Sequence, residues 1–454
     1  MGDTRANAGA GLTRKLVGQA LELRFDELPA SVRRVASDCL VDWLACTYAG
    51  LAEPVSGILT EAARDEGGHP RATLVGRGMK GSVLQAALVN GTASHALDYD
   101  DVNLAVPGHL SVALLPGLLA LSEDRGASGE DFLAAFVAGY ETACRIGKLL
   151  EPAHYANGFH ATATVGSLGA AIACAHLLKL TPEQACHALG IAATQAAGLK
   201  VMFGSMAKPL HAGLASQGGL RAALLARKGL TSRMDVLECV QGFAQVHGAD
   251  FHVEDAVAQP EGGYHLLANL FKFHAACYST HSTIEAVAAL RKEHGIALPA
   301  VAGIQVVAGE GCSICNIQSP VTALEAKFSL RAVAAFALLD IDTSALESWA
   351  RVTDSEVAAA LERVRVELVP GMGLSESEVT VRLRDGTELR RVEDAGIPMR
   401  DKAAQSARVS AKFKAIAGPI LGESRCVRLL ALLDGVARQP DLRPLLAACA
   451  GVPE

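Results

Sequence analysis

Residues 157–179 read NGFHATATVGSLGAAIACAHLLK. From Thr164 to Leu178 the run is rich in Gly, Ala and aliphatic residues, contains His176, and is followed at once by Lys179. It falls short of the roughly 20 apolar residues of a membrane span, so it predicts a helix buried in a protein core. The same texture extends to both sides. Pro29-Ala-Ser-Val-Arg-Arg-Val-Ala-Ser-Asp-Cys-Leu-Val-Asp-Trp-Leu44 places apolar residues at helical spacing. Ser128-Gly-Glu-Asp opens a helix that Phe132 to Leu150 continues, and Thr181-Pro182-Glu-Gln combines an N-cap with proline at the first helical position. Gly and Ala recur along these segments and let helix backbones approach closely.

Near residue 265 the pattern changes. Val301-Ala-Gly-Ile-Gln-Val-Val, Val364-Arg-Val-Glu-Leu-Val and Val379-Thr-Val-Arg-Leu-Arg-Asp-Gly-Thr-Glu-Leu alternate with period two and are rich in β-branched residues. Asp385-Gly386 is a hairpin turn signal, and helical patterns intervene at Ser282 to His294 and Glu325 to Leu339. The expected fold class is therefore mainly α with α+β. Residues 1–265 form a large all-helical domain, 266–400 a smaller α+β domain, and 401–454 a helical segment returning to the first.

Composition narrows the function. The chain has 454 residues, 50% hydrophobic, 20% charged and only 4% aromatic, with a net charge of -7. It can bury a large core without staples. It has neither the basic tracks nor the stacking aromatics of a nucleic-acid binder, so neither nucleic acid nor membrane is expected as a partner. The eleven cysteines lie mostly in apolar helical segments, as small core residues in a reducing cytoplasm would. The opening MGDTRANAGAGLTRKL has no apolar signal core, so a cytoplasmic protein is expected.

Four constellations carry chemistry. His95-Ala-Leu-Asp98-Tyr-Asp100-Asp101-Val-Asn103, followed by Pro107-Gly108-His109, gathers three carboxylates that need a cationic answer. A calcium loop is excluded because Val102 falls at the fifth ligand position, no glycine follows it, and His109 occupies the twelfth. A Mg²⁺ site on one or two of these carboxylates stays open. His160 sits in a Gly/Thr-rich loop ahead of a helix. In Phe203-Gly-Ser-Met-Ala-Lys208-Pro209-Leu-His211, Pro209 suits a first helical turn, which puts Lys208 at the N-cap edge as a seat for a carboxylate. Lys272, Cys277, Tyr278 and His281 fall at the border between the two expected domains, where binding clefts are common. Cys312-Ser-Ile-Cys315 lacks the second pair that zinc would require, so it reads as structural.

Six stretches together resemble the MmgE/PrpD family. They are NGTASHALDYDD (90–101), GHLSVALLPGLLAL (108–121), GFHATATVGSLGAA (158–171), MAKPLHAGLASQGG (206–219), FKFHAACYSTHSTIEA (271–286) and EAKFSL (325–330). They occur in family order and span most of the chain. The resemblance implies a helical domain built from both chain ends clasping an α+β domain, and a homodimer without cofactor or metal. It implies action on di- and tricarboxylates in a site between the domains, lined by Asp98, His109, His160, Lys208 and Lys272. Cys277 stands where the family's animal decarboxylases have histidine, and Ala332 lies where a tyrosine is expected. The Asp98–His109 segment has the length of the family's epimerases. These features direct the expectation toward dehydratase or epimerase chemistry, with a cis-aconitate-type decarboxylase or a non-catalytic metabolite-binding dimer as alternatives.

The expected catalytic set is His109, Asp98, His160 and Lys208, with Lys272, Cys277, Tyr278 and His281 binding substrate and no metal. Lys208, Lys272 and a protonated His160 would hold carboxylates and absorb enolate charge. His109 would be the general acid or base, oriented by Asp98.

Overall fold

The computed structural model describes residues 11–248 and 251–451. The chain divides into two units, Met1–Phe271 with Arg400–Glu454, and Lys272–Met399.

The first unit is helical, and its starts follow the capping chemistry of the sequence. Ser82 and Gln85 form a capping box ahead of the helix Val83–His95, Ser128 caps Gly129–Leu150, and Thr181 with Gln184 boxes Pro182–Ala193. Two helices, Leu110–Arg125 and Ala161–Leu177, are buried on every side along nearly their whole length. A helix with no solvent face shows no amphipathic periodicity, which is why these stretches read simply as apolar. Around them pack Val83–His95, Gly129–Leu150 and Ala207–Arg227, while Lys402–Leu421 lies against Ala30–Gly50. A short antiparallel hairpin, β1 (Ala72–Leu74) with β2 (Met79–Gly81), adds strands that the sequence pattern did not announce. No helix among the described residues is long and apolar enough to cross a membrane.

Glycine sets the spacing of the helices that carry the candidate site. A Cβ on Gly213 would lie 2.3 Å from the Leu88 carbonyl oxygen and 2.4 Å from Thr92 Oγ1. Ala207–Arg227 therefore meets Val83–His95 backbone to backbone, with no room for a methyl group.

In the second unit, β3 (Val301–Gly309), β4 (Val364–Val369), β5 (Glu376–Leu383) and β6 (Glu388–Asp394) form one sheet in the order β4-β3-β5-β6. β3 pairs with β4 in parallel, while β3–β5 and β5–β6 are antiparallel. Gly386, at φ +92°, occupies the left-handed region in the β5–β6 turn, as Asp385-Gly386 predicts. The helix His281–His294 packs on β5 and β6, and Leu330–Leu338 on β4. The helical stretch expected over 325–339 divides in two. Ala323–Lys327 ends, and Ser329 caps a new helix by accepting the Ala332 N–H at 3.2 Å.

Replacing Gly213 with alanine is expected to cost about 1–3 kcal/mol, the usual penalty of overpacking. Urea unfolding should show a lowered midpoint at unchanged slope, and an unchanged midpoint would contradict the close-contact reading.

Candidate active site

Four side chains converge in the first unit because four helix ends meet there. His95 is the last residue of Val83–His95. His109 and His160 are the N-cap residues of Leu110–Arg125 and Ala161–Leu177, and neither ring caps its own helix. Backbone N–H groups anchor both: His109 donates to Thr162 Oγ1 at 3.0 Å and His160 to the Gly198 carbonyl at 3.0 Å. With the backbones pinned, the rings are left to face one another. The rings of His95 and His109 lie 4.7 Å apart, and those of His95 and His160 5.9 Å apart. Lys208 is the second residue of Ala207–Arg227, whose cap is Met206. The expected N-cap position for Lys208 is thus corrected by two residues. Pro209 is accommodated because first-turn N–H groups lack intrahelical acceptors.

The three carboxylates separate into three environments. Asp100 is buried, with Oδ1 2.9 Å from His95 Nδ1 and Oδ2 2.8 Å from His109 Nδ1. Burial alone would raise its pKa, yet His109 and His95 together hold it well below the usual carboxylate range. An ionised carboxylate only accepts, so His95 Nδ1 donates to it, while His109 Nδ1 touches Oδ2 at 2.8 Å as an ion-pair contact off the hydrogen-bond line. Asp101 is buried elsewhere, accepting from Ser111 Oγ at 2.5 Å and Asn269 Nδ2 at 2.8 Å. Asp98 adopts a left-handed backbone, φ +52°, which aspartate tolerates better than most residues. Its half-exposed carboxylate lies 2.8 Å from Lys208 Nζ and 3.4 Å from His109 Nε2. Asp98 therefore meets His109 at Nε2, while it is Asp100, not Asp98, that lies against Nδ1.

His160 also departs from expectation. Its Nδ1 is 3.0 Å from His211 Nδ1. Burial, then the proximity of His95, His109 and Lys208, lowers its pKa to about 2. It is neutral near pH 7, so it offers a hydrogen bond where a positive charge was expected. His95 is likewise lowered to about 4, chiefly by burial, and its Nε2 has no hydrogen-bond partner among the described residues. The charge that faces a ligand here is the Lys208 ammonium, 14% exposed and 5.3 Å from the centroid of the Phe203 ring, which stands edge-on to His160.

The remaining candidates belong to the second unit. Lys272 is buried. Cys277 is half-buried against the cluster of Ala308, Cys312, Cys315 and Leu330, so the Cys312–Cys315 pair is core, as read from sequence. The Tyr278 hydroxyl donates to the Ala395 carbonyl. His281 is buried, with Nε2 3.3 Å from the Ala276 carbonyl oxygen, and burial first, then His274 and Lys272, lowers its pKa well below its ordinary value. Tyr278 and His281 thus bond to backbone carbonyls of their own unit.

His95, Asp100 and His211 take part in the cluster although they were not among the expected catalytic residues. The signal was present. His95 and Asp100 flank Asp98 in one motif, and His211 follows Lys208 by three residues on the same helix.

The MmgE/PrpD N-terminal domain model matches residues 14–256 and the C-terminal domain model residues 274–434. The chain belongs to the MmgE/PrpD family. Curated relatives align over nearly full length. A cis-aconitate decarboxylase of Aspergillus terreus (strain NIH 2624 / FGSC A1156) is 26% identical over 97% of this chain and 96% of its own. The cis-aconitate decarboxylase of Homo sapiens is 28% identical over 94% and 92%. A cis-aconitate decarboxylase-like protein of Aspergillus oryzae (strain ATCC 42149 / RIB 40) is 31% identical over 64% of each chain. The MmgE/PrpD architecture, a helical N-terminal domain with a smaller α+β C-terminal one, agrees with the sheet and helix content described above.

The buried neutral histidines make stability pH-dependent. His95, His154 and His265 are lowered to about 4 and His160 to about 2, each mainly by burial. Their unfolded value is about 6.5. Between these values the unfolded chain binds protons that the native state refuses, so stability is full above about pH 6.5 and falls as pH drops. His176, His211, His247 and His281 are lowered as well, which outweighs the opposite effect of Asp38, Asp42 and Glu141, raised by burial to about 6, 7 and 7. Calorimetry should show a melting temperature that declines from about pH 6.5 downward, with net proton uptake on unfolding near pH 5. A flat profile down to pH 5 would contradict it.

Proposed function

We propose that this protein is a cofactor-independent lyase that moves a proton at a carbon next to a carboxylate of a small di- or tricarboxylate, in the manner of a dehydratase. The observation that carries the proposal is the Asp100 carboxylate bridging Nδ1 of His95 and His109, with Asp98 and Lys208 on the open side. His109 takes the α-proton on Nε2, and Asp100 stabilises the imidazolium that forms. Lys208 binds a substrate carboxylate in place of Asp98 and answers the developing enolate charge. Neutral His160 donates a hydrogen bond to the substrate, and the His109 imidazolium delivers its proton to the departing hydroxyl, which leaves as water. Lys272, Cys277, Tyr278 and His281 belong to this reading as carboxylate-binding candidates of the second unit. A homodimer and a cytoplasmic setting belong to the same reading.

His95, Asp98, Asp100 and His109 each offer an atom within 4.8 Å of the others, a spacing that a metal ion could use. Two features favour a reaction without one. Lys208 Nζ already stands 2.8 Å from Asp98 Oδ1, and both Asp100 oxygens are engaged by imidazoles. A dication would have to sit beside an ammonium.

A second reading, decarboxylation of cis-aconitate, is favoured by the names of the relatives. The same machinery would serve, with CO₂ leaving and an imidazolium protonating the carbanion. Departures from the animal decarboxylases at Cys277 and near Ala332 weigh against decarboxylation and leave dehydration and epimerisation level.

The purified protein, incubated in D₂O with cis-aconitate, citrate, 2-methylcitrate or iminodisuccinate stereoisomers, is expected to turn over one of them with or without EDTA. Proton NMR of the product then names dehydration, decarboxylation or epimerisation. His109→Ala should lose turnover by roughly 10² or more while holding ligand affinity within about tenfold. Turnover abolished by EDTA and restored by Mg²⁺ would overturn the metal-free mechanism, and unchanged turnover in His109→Ala would overturn the role of His109.

A further inference from the structure

The loop that carries Asp98 and Asp100 is held from the far end of the chain. Lys412 lies in the helix Lys402–Leu421 and is 1% exposed. Its Nζ donates to Asp42 Oδ1 at 2.7 Å, on the helix Ala30–Gly50, and to the Tyr99 carbonyl oxygen at 2.7 Å. The ammonium also sits 3.8 Å from the centroid of the Tyr99 ring. Tyr99 is the residue between Asp98 and Asp100.

We propose that Lys412 is a positioning residue of the active site, its buried ammonium clamping the Tyr99 carbonyl so that Asp98 and Asp100 face Lys208 and the histidine pair. The inference rests on the proton-transfer reading for its effect on turnover. Its geometry stands without that reading.

The contact does more than join two helices. A buried ion pair is a weak device for stability alone, because a well-packed apolar pair of similar volume is often as stable or more so. What an apolar pair cannot supply is a donor to the Tyr99 oxygen. That oxygen belongs to the peptide linking Tyr99 to Asp100, so its direction sets where the Asp100 side chain begins. On the other side, Asp98 holds its left-handed backbone at φ +52° with its N–H on the His95 carbonyl at 3.2 Å. The segment between two fixed points is thus tied at its middle. Burial would lower the Lys412 pKa, but the Asp42 carboxylate holds it above its ordinary range, so the clamp stays charged.

The test uses the full-length chain with Asp42→Leu and Lys412→Met combined. Lys412→Met alone leaves Asp42 buried and unpaired and should melt far below the wild type, so the double variant is the informative one. It is expected to melt within about 5 °C of the wild type, because the ion pair is replaced as a unit. On whichever panel polycarboxylate the wild type converts, its kcat should drop at least tenfold, with KM changed less than threefold. Histidine-selective ¹³C NMR should show displaced resonances for His95 and His109. Wild-type kcat and unmoved resonances in a folded double variant would overturn the proposal. If the double variant does not fold, Lys412→Arg decides. It keeps a charge for Asp42, but its longer, planar guanidinium cannot occupy the ammonium's buried place between Asp42 and Tyr99 and must shift the Tyr99 carbonyl, so displaced His95 and His109 resonances support the clamp and wild-type ones refute it. If the wild type converts no panel member, the proposed function fails on its own, and the histidine resonances alone decide the clamp.

Discussion

A carboxylate with almost no exposure survives inside this protein because two imidazoles meet its two oxygens. Burying an unpaired charge costs far more than a protein's whole stability margin, so Asp100 is tenable only with His95 and His109 in place. Those histidines sit at opposite kinds of helix terminus, one at a C-terminal end and one at an N-cap. Any shift of either helix by a fraction of an ångström would strand the charge. The rest of the first unit can be understood as meeting that demand. Small residues at the crossings, such as Gly213 against Leu88 and Thr92, remove slack between helices, and two fully buried helices give the rings rigid mountings.

The same constraint fixes the chemistry available. With both Nδ1 atoms facing a carboxylate, the proposed proton exchange by His109 runs through Nε2, the nitrogen 3.4 Å from the Asp98 carboxylate that also meets Lys208. Burial first, and then the neighbouring imidazoles and the Lys208 ammonium, keep His160 and His95 uncharged. A negatively charged substrate would therefore find one strong cation and several directional hydrogen-bonding groups, which favours recognition of a carboxylate next to a reacting carbon over diffuse attraction of polyanions.

Much of this was legible in the sequence for identifiable reasons. Helix starts at Ser128 and Thr181 were readable because capping is local chemistry, and the β5–β6 hairpin because Asp385-Gly386 supplies the turn. Asp98, His109, His160 and Lys208 stand together as expected. What could not be read depends on burial and on distance along the chain. Three aspartates within four positions look alike in sequence, and only packing makes Asp100 the charge between histidines, Asp101 a hydrogen-bonded core group and Asp98 the half-exposed partner of Lys208. The charge state of His160 turns on how many other groups crowd it, which no spacing reveals. Lys412 lies more than 300 residues from Tyr99, and nothing near either residue advertises the contact.

The account depends most on the Asp100 carboxylate lying against Nδ1 of His109, and Asp100→Asn addresses that directly. The asparagine keeps the shape but removes the charge and can present a donor to the ring. Deuterium incorporation next to a carboxylate of the converted substrate should fall by roughly 10² or more relative to the wild type, with the fold intact by circular dichroism. Wild-type exchange in that variant would mean that the buried carboxylate does not set the proton chemistry, and the mechanism drawn from it would be wrong.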